Sequence, residues 1–158
     1  MCAAIGERAR RPVFFSEFAV PDTIDGRFDL VALHGWMVLE ALRNLEMKDI
    51  SQGLIDSLFI SFDEGLRDLG VGDIGIGHRM KKLADAFYGR LSAYGAAADE
   101  RAMADALARN LYRGEPGREQ QAAAMARYAL AARDQVAAGD LASGKADFGP
   151  LPVPNGKP

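Results

Sequence analysis

The sequence predicts an all-α protein: a single compact domain of about six helices with a flexible Gly/Pro-rich C-terminal tail. Apolar residues recur at helical spacing in block after block, and the alternation that marks a β-strand is nearly absent. The chain has 158 residues, of which 49% are hydrophobic and 26% charged, as is typical of one globular domain. We therefore expect a helical domain over residues 1–141 and an extended or disordered tail over residues 142–158.

The N-terminal part of the chain is predicted to contain a short helix and a turn. Residues 3–10 include two arginines and suit a short basic helix. Residues 20–26, VPDTIDG, are typical of a turn, because Pro fixes φ and Asp, Thr and Gly favour caps and bends. The first long helix is therefore expected to begin at about residue 27.

The helix predicted over residues 27–44 is apolar on nearly every side, which indicates that several neighbours contact it. Asp29, Glu40 and Arg43 share its narrow polar stripe. Gly35 lies in its apolar arc and predicts the close approach of another helix, because a glycine inside a helix costs roughly 1 kcal/mol. His34 lies in the same arc and is interpreted as a hydrogen-bonded core residue, with haem ligation or catalysis as the alternative.

Four further helices are predicted between residues 49 and 138. Each of them combines apolar and polar positions at helical spacing. Asp49 or Ser51 can cap the first of the four, and Gly70 suits its C-terminal end. Pro116 suits the first turn of the last. The four helices are expected at about residues 49–69, 75–94, 99–112 and 116–138.

Composition excludes several classes of protein. No apolar stretch reaches the roughly 20 residues that a membrane-spanning helix needs. The net charge of −3 argues against a general nucleic-acid-binding protein, and we expect no DNA partner. One Cys and two His are too few for the usual zinc site within one chain. No secretory or transit signal is recognised at the N-terminus, so a cytoplasmic location is expected.

The glycine-rich segment 70–75, GVGDIG, matches the dinucleotide-binding pattern G-x-G-x-x-G letter for letter. That pattern binds pyrophosphate only between a strand and a helix, whereas here a predicted helix precedes it. We interpret the segment as a junction between two helices. No catalytic arrangement of side chains is recognised either, so we expect neither a cofactor nor an enzymatic activity.

Basic side chains crowd the start of the helix predicted at residues 75–94. Arg79, Lys81 and Lys82 lie off its apolar stripe, close to a helix N-terminus, where each cation is disfavoured by roughly 0.3–1 kcal/mol. We call these three residues the basic edge. A solvated face is one interpretation. The functional one is an anion-binding patch for acidic side chains, lipid headgroups or RNA phosphate.

Two long segments carry unusual motifs. Residues 20–34 read VPDTIDGRFDLVALH, and residues 58–90 read LFISFDEGLRDLGVGDIGIGHRMKKLADAFYGR. With these motifs the chain resembles the ubiquinol–cytochrome c chaperone family, whose mitochondrial members assist assembly of respiratory complex III. The resemblance extends over about residues 8–141.

The resemblance implies a non-catalytic all-α chaperone that binds newly made cytochrome b at or near the membrane. It further implies a small helper subunit and the ribosomal exit region as partners, with peripheral contact at the anionic inner membrane. The alternative is a helical adaptor that binds anionic lipid, RNA or an acidic protein through the basic edge. The partner-binding residues implied by the resemblance are Arg27, Asp29, His34, Asp63, Arg67, Gly70, Gly72, Asp73, Arg79, Lys81 and Lys82.

Overall fold

A computed structural model describes residues 1–154, and helices account for all of its long elements. One element, α2, is a single turn of four residues, and the six other α-helices have eight residues or more. No strand occurs within residues 1–154, so the predicted all-α class is confirmed. The helices are α1 (Cys2–Ala9), α2 (Val13–Ser16), α3 (Ile24–Asn44), α4 (Lys48–Asp68), α5 (Asp73–Gly95), α6 (Glu100–Asn110) and α7 (Glu119–Ala138), followed by a 3₁₀ turn (Leu141–Ser143).

The central helix is α3, which contacts α1, α4, α5 and α7. It begins three residues earlier than predicted, because the Thr23 hydroxyl caps it by accepting a hydrogen bond from the Gly26 amide at 3.1 Å. A Cβ atom at Gly26 would lie only 1.9 Å from the Pro21 carbonyl oxygen. Glycine is therefore required where the preceding turn folds back against the helix.

The predicted approach to Gly35 is confirmed. Leu58 of α4 and Phe87 of α5 both lie 3.6 Å from where a Cβ atom at Gly35 would stand. This is an ordinary van der Waals distance, so the neighbours pack on Gly35 without requiring glycine there. The contact brings α4 and α5 together over the middle of α3.

The starts predicted for α4 and α7 are corrected as well. The first is that of α4, which begins at Lys48 without a side-chain cap, so the expected capping by Asp49 or Ser51 is wrong. The second is that of α7, which begins at Glu119 rather than Pro116, because residues 112–117 form turns. The helix α7 packs on both α6 and α3, and four of its alanines are buried.

The segment after the 3₁₀ turn has no regular secondary structure as far as residue 153, and it packs on the domain. Phe148 is only 5% exposed and belongs to the hydrophobic core. The Met1 amino group donates to the Gly144 carbonyl at 2.9 Å, and the Arg8 guanidinium donates to the Pro150 carbonyl. The core thus continues past residue 141. The prediction for residues 155–158 lies outside the described residues.

Candidate partner-binding surface

An open groove of about 720 Å³ lies between α3 and α4, with α1 and α5 at its margins. Its wall on α3 includes Phe28 and its wall on α4 includes Phe62, and the two ring centroids are 5.3 Å apart. Ile24 and Leu69 also line the groove and are 62% and 57% exposed. The groove therefore exposes apolar side chains to the solvent.

Basic side chains stand around this groove. Arg10, Arg27, Arg79 and Lys82 line it, together with one carboxylate, Asp25. Arg27 is neutralised by Asp22 at 2.8 Å.

In residues 1–154, by contrast, Arg10, Arg79 and Lys82 form no salt bridge. The predicted basic edge is thus divided by the structure. Arg79 and Lys82 belong to the groove, whereas Lys81 is exposed but does not line it.

Five of the residues implied by the resemblance lie together around the α4–α5 turn. Arg67 donates to Asp63 at 2.7 Å and to Asp73 at 2.6 Å, so it ties the end of α4 to the start of α5. These two hydrogen bonds raise the pKa of Arg67, and the larger contribution is that of Asp63. Gly70 has a φ of +82°, a conformation that favours glycine. Because α4 and not a strand precedes Gly72, the interpretation as a helix junction is confirmed.

Asp29 was expected to lie on a polar stripe and to contact a partner, but the structure buries it completely. Its Oδ1 lies 2.6 Å from Arg90 Nη2, and its Oδ2 lies 3.0 Å from Arg113 Nη2. Burial raises the pKa of Asp29, while the charges of the two arginines oppose that shift. Asp29 therefore joins α3 to α5 and to the segment after α6 and has no surface to offer a partner.

His34 is also fully buried, which confirms the interpretation as a core residue and corrects its place among the partner contacts. Its Nδ1 is 2.7 Å from the Leu30 carbonyl oxygen, which can only accept, so Nδ1 carries the proton. Its Nε2 is therefore an acceptor for the Tyr128 hydroxyl at 2.8 Å, and that hydroxyl accepts from Arg8 Nε at 2.8 Å. Burial lowers the pKa of His34 to about 4.

The apolar lining of the groove escaped sequence reasoning. The sequence does not distinguish this lining from the core, because Phe28 and Val31 on α3, and Phe62 and Leu66 on α4, continue the apolar stripes of their helices. In the structure the last buried residue of α4 is Leu58, so the stripe extends beyond the part that the core covers. The excess length of that stripe is the signal that marks the groove.

Residues 1–154 contain neither a metal-binding cluster nor a membrane-spanning helix. In this part of the chain no group of His, Cys, Asp or Glu side chains is arranged to hold a metal ion. None of the helices described is long and apolar enough to cross a membrane. A functional proposal can therefore be based on the apolar groove and on its basic rim, by which we mean Arg10, Arg79 and Lys82.

Comparison with known proteins adds the family. The family model described as Ubiquinol-cytochrome C chaperone matches residues 16–146. A Xenopus laevis protein named ubiquinol-cytochrome-c reductase complex assembly factor 1 is 27% identical over 109 residues, which are 66% of this chain and 54% of that protein. This chain thus spans about half the length of that relative.

A solved structure is similar over nearly the whole fold. The crystal structure of the Cbp3 homolog from Brucella abortus superposes with a TM-score of 0.80 and 36% sequence identity. The superposition covers 93% of this chain and 87% of the other. Together with the family model, which spans most of the sequence, this likeness shows that the chain belongs to the ubiquinol–cytochrome c chaperone family.

Proposed function

We propose that this protein is a non-catalytic assembly chaperone for the ubiquinol–cytochrome c reductase complex and that it binds newly made cytochrome b. The observation that carries the proposal is an apolar groove, open to solvent, in a member of this chaperone family. Cytochrome b is a bundle of apolar helices, so a chaperone that holds it before assembly needs accessible apolar surface. The exposed Ile24 and Leu69 at the groove supply such surface.

The proposed place of action is the cytoplasmic side of the inner membrane, where cytochrome b is inserted. The three cations of the basic edge are exposed, and each contributes about 1 kcal/mol of attraction near an anionic leaflet. This attraction supports peripheral contact with the membrane. A small helper subunit and the ribosomal exit region belong to the same proposal as further partners.

Deleting the gene in the source organism tests the proposal. We expect less spectroscopic haem b and slower quinol oxidation through the cytochrome bc complex, with the other oxidases intact. Reintroducing the wild-type gene should restore both signals. Unchanged haem b in the deletion strain would contradict the proposed function.

Affinity capture of the full chain from a respiring membrane extract provides the second test. We expect cytochrome b among the bound proteins, and we expect its binding to fall only several-fold when the salt concentration is raised, because the apolar part of the contact is not screened. The adaptor function predicts the opposite, since binding of lipid or RNA through the basic edge weakens steeply with salt. Capture of lipid or RNA without cytochrome b would favour the adaptor.

A further inference from the structure

We propose that the groove between α3 and α4 binds one α-helix of a protein partner, apolar along one face and carrying carboxylates beside that face. The inference deepens the proposed function and rests on it, because the helix would belong to the client. It concerns the shape and charge of the groove itself. It can therefore be tested apart from the identity of the client.

The shape of the groove suits a helix. On each wall the apolar side chains recur at positions i, i+4 and i+7, which places them on one face of their helix. Seven residues of α-helix rise about 10 Å, so each wall is about two turns long. A third helix can insert its own ridge of side chains between two such rows. The rows are Ile24, Phe28 and Val31 on α3, and Phe62 and Leu66 on α4 with Leu69 directly after its last residue.

The chemistry of the lining also favours a helix over an extended peptide. An extended segment needs hydrogen-bond partners for its own backbone, and no strand edge exists within residues 1–154. The two hydroxyls of the lining are already engaged, since Thr23 caps α3 and Ser61 donates to the Ser57 carbonyl at 3.0 Å. A helix forms its own backbone hydrogen bonds and can therefore lie on the two apolar rows.

The charges of the rim specify carboxylates on the partner. Arg10, Arg79 and Lys82 line the groove and form no salt bridge within residues 1–154. The one carboxylate of the lining, Asp25, is 3.6 Å from Arg113. The cations come from two separate elements, the end of α1 and the first half of α5. These cations can therefore pair with several acidic side chains along a helix. A single lipid phosphate would leave the cations of one of the two elements without a counter-charge.

The first test fills the groove without disturbing the fold. Gly65 lies on α4 in the groove lining, and a Cβ atom added there meets nothing within 4 Å. Gly65→Leu should therefore place its side chain in the groove. Gly53→Leu is the matched control, because Gly53 lies on the same helix, is equally open at its Cβ position and is not part of the groove.

The probe is a designed helical peptide of about five turns, with leucines along one face and glutamates beside them. Its binding to the full chain is measured by fluorescence anisotropy. We expect Gly65→Leu to weaken binding by at least about tenfold, since it occupies the centre of the contact. Gly53→Leu should bind like the wild type. A twin peptide with lysines in place of the glutamates should bind more weakly than the acidic peptide.

A second pair of variants tests the charge. Lys82→Glu reverses a cation of the groove, and Lys81→Glu reverses the neighbouring cation outside it. We expect the first to weaken binding of the acidic peptide several-fold and the second to leave it unchanged, because the screened attraction acts only over short distances.

The inference would be overturned by absence of peptide binding, by equal effects of Gly65→Leu and Gly53→Leu, or by equal binding of the acidic and basic peptides. Binding of phosphatidylglycerol vesicles that Gly65→Leu abolishes would assign the groove to lipid instead and would also overturn it. Capture of cytochrome b by the Gly65→Leu protein as well as by the wild type would reject the groove as the client site and leave the proposed function standing. Peptide binding without any capture of cytochrome b would reject the proposed function alone.

Discussion

Acidification should destabilise this domain through the buried His34. The imidazole donates from Nδ1 to the Leu30 carbonyl and accepts at Nε2 from the Tyr128 hydroxyl. Protonating Nε2 would turn the acceptor of the Tyr128 hydroxyl into a second donor and place its charge near the Arg8 guanidinium, which already donates to that hydroxyl. The rings of Phe14 and Phe148 lie against the imidazole and offer no counter-charge. The folded state therefore resists the proton.

The size of the effect follows from the two pKa values of His34. In the unfolded chain the imidazole takes up a proton near pH 6.5, whereas in the folded state burial lowers the pKa to about 4. Below pH 6.5 the unfolded state thus binds more protons, so the free energy of unfolding falls as the pH falls. The loss attributable to this group is about 2 kcal/mol by pH 5 and about 3 kcal/mol by pH 4.

Urea denaturation followed by the fluorescence of Trp36, the single and buried tryptophan, measures this loss at pH 7 and pH 5. His34→Gln removes the proton-binding group, so its stability should change less between the two pH values, by about 2 kcal/mol. His78→Gln is the control, because His78 is the other histidine and is exposed on α5. If His34→Gln and the wild type lost the same stability between pH 7 and pH 5, the reasoning about His34 would be refuted.

Two further pairs of substitutions test contacts elsewhere in the domain. Asp29→Asn leaves Arg90 and Arg113 without their shared counter-charge, and urea denaturation should show a free energy of unfolding lower by about 3 kcal/mol. Asp25→Asn is the control and should change the stability little, because the Asp25 side chain is 73% exposed. Equal losses would contradict the buried ion pair. Gly26→Ala should lower Tm in calorimetry because its Cβ would collide with the Pro21 carbonyl, and Gly53→Ala, which meets open space, should raise Tm slightly. A Gly26→Ala protein as stable as the wild type would show that the turn can move.

Local features of this fold could be predicted because they depend on neighbours in sequence. The apolar spacing of residues 75–94 marks α5, and Phe87 and Tyr94 are buried where that stripe places them. Gly70 ends α4 as predicted, since the required φ depends only on the local backbone. The start of α3 differs from the prediction by three residues, because the Thr23 side chain caps the helix inside the stretch predicted as a turn.

The groove and the two buried polar residues depend on distant parts of the chain. A helical stripe specifies which face is apolar, but the packing of other helices decides whether that face is covered. Asp29 can be buried because Arg90 and Arg113, which are distant in the sequence, pair with its carboxylate. Tyr128 likewise meets His34 from a helix nearly a hundred residues away. Periodicity contains no information about these encounters.

The basic edge could bind an anionic membrane or an acidic helix, and the sequence does not distinguish these two functions. The structure makes them distinguishable, because Arg79 and Lys82 line the groove and Lys81 does not. Attraction to an anionic membrane acts on every exposed cation near the surface, so it predicts similar losses when Arg79, Lys81 or Lys82 is reversed. A groove that pairs with carboxylates of a helix predicts losses at Arg79 and Lys82 alone, because Lys81 does not line it. None of the three belongs to the buried core, so their reversal leaves folding intact and reports on association. The losses measured at these three neighbouring cations of α5 therefore distinguish contact with an anionic membrane from binding of an acidic helix in the groove.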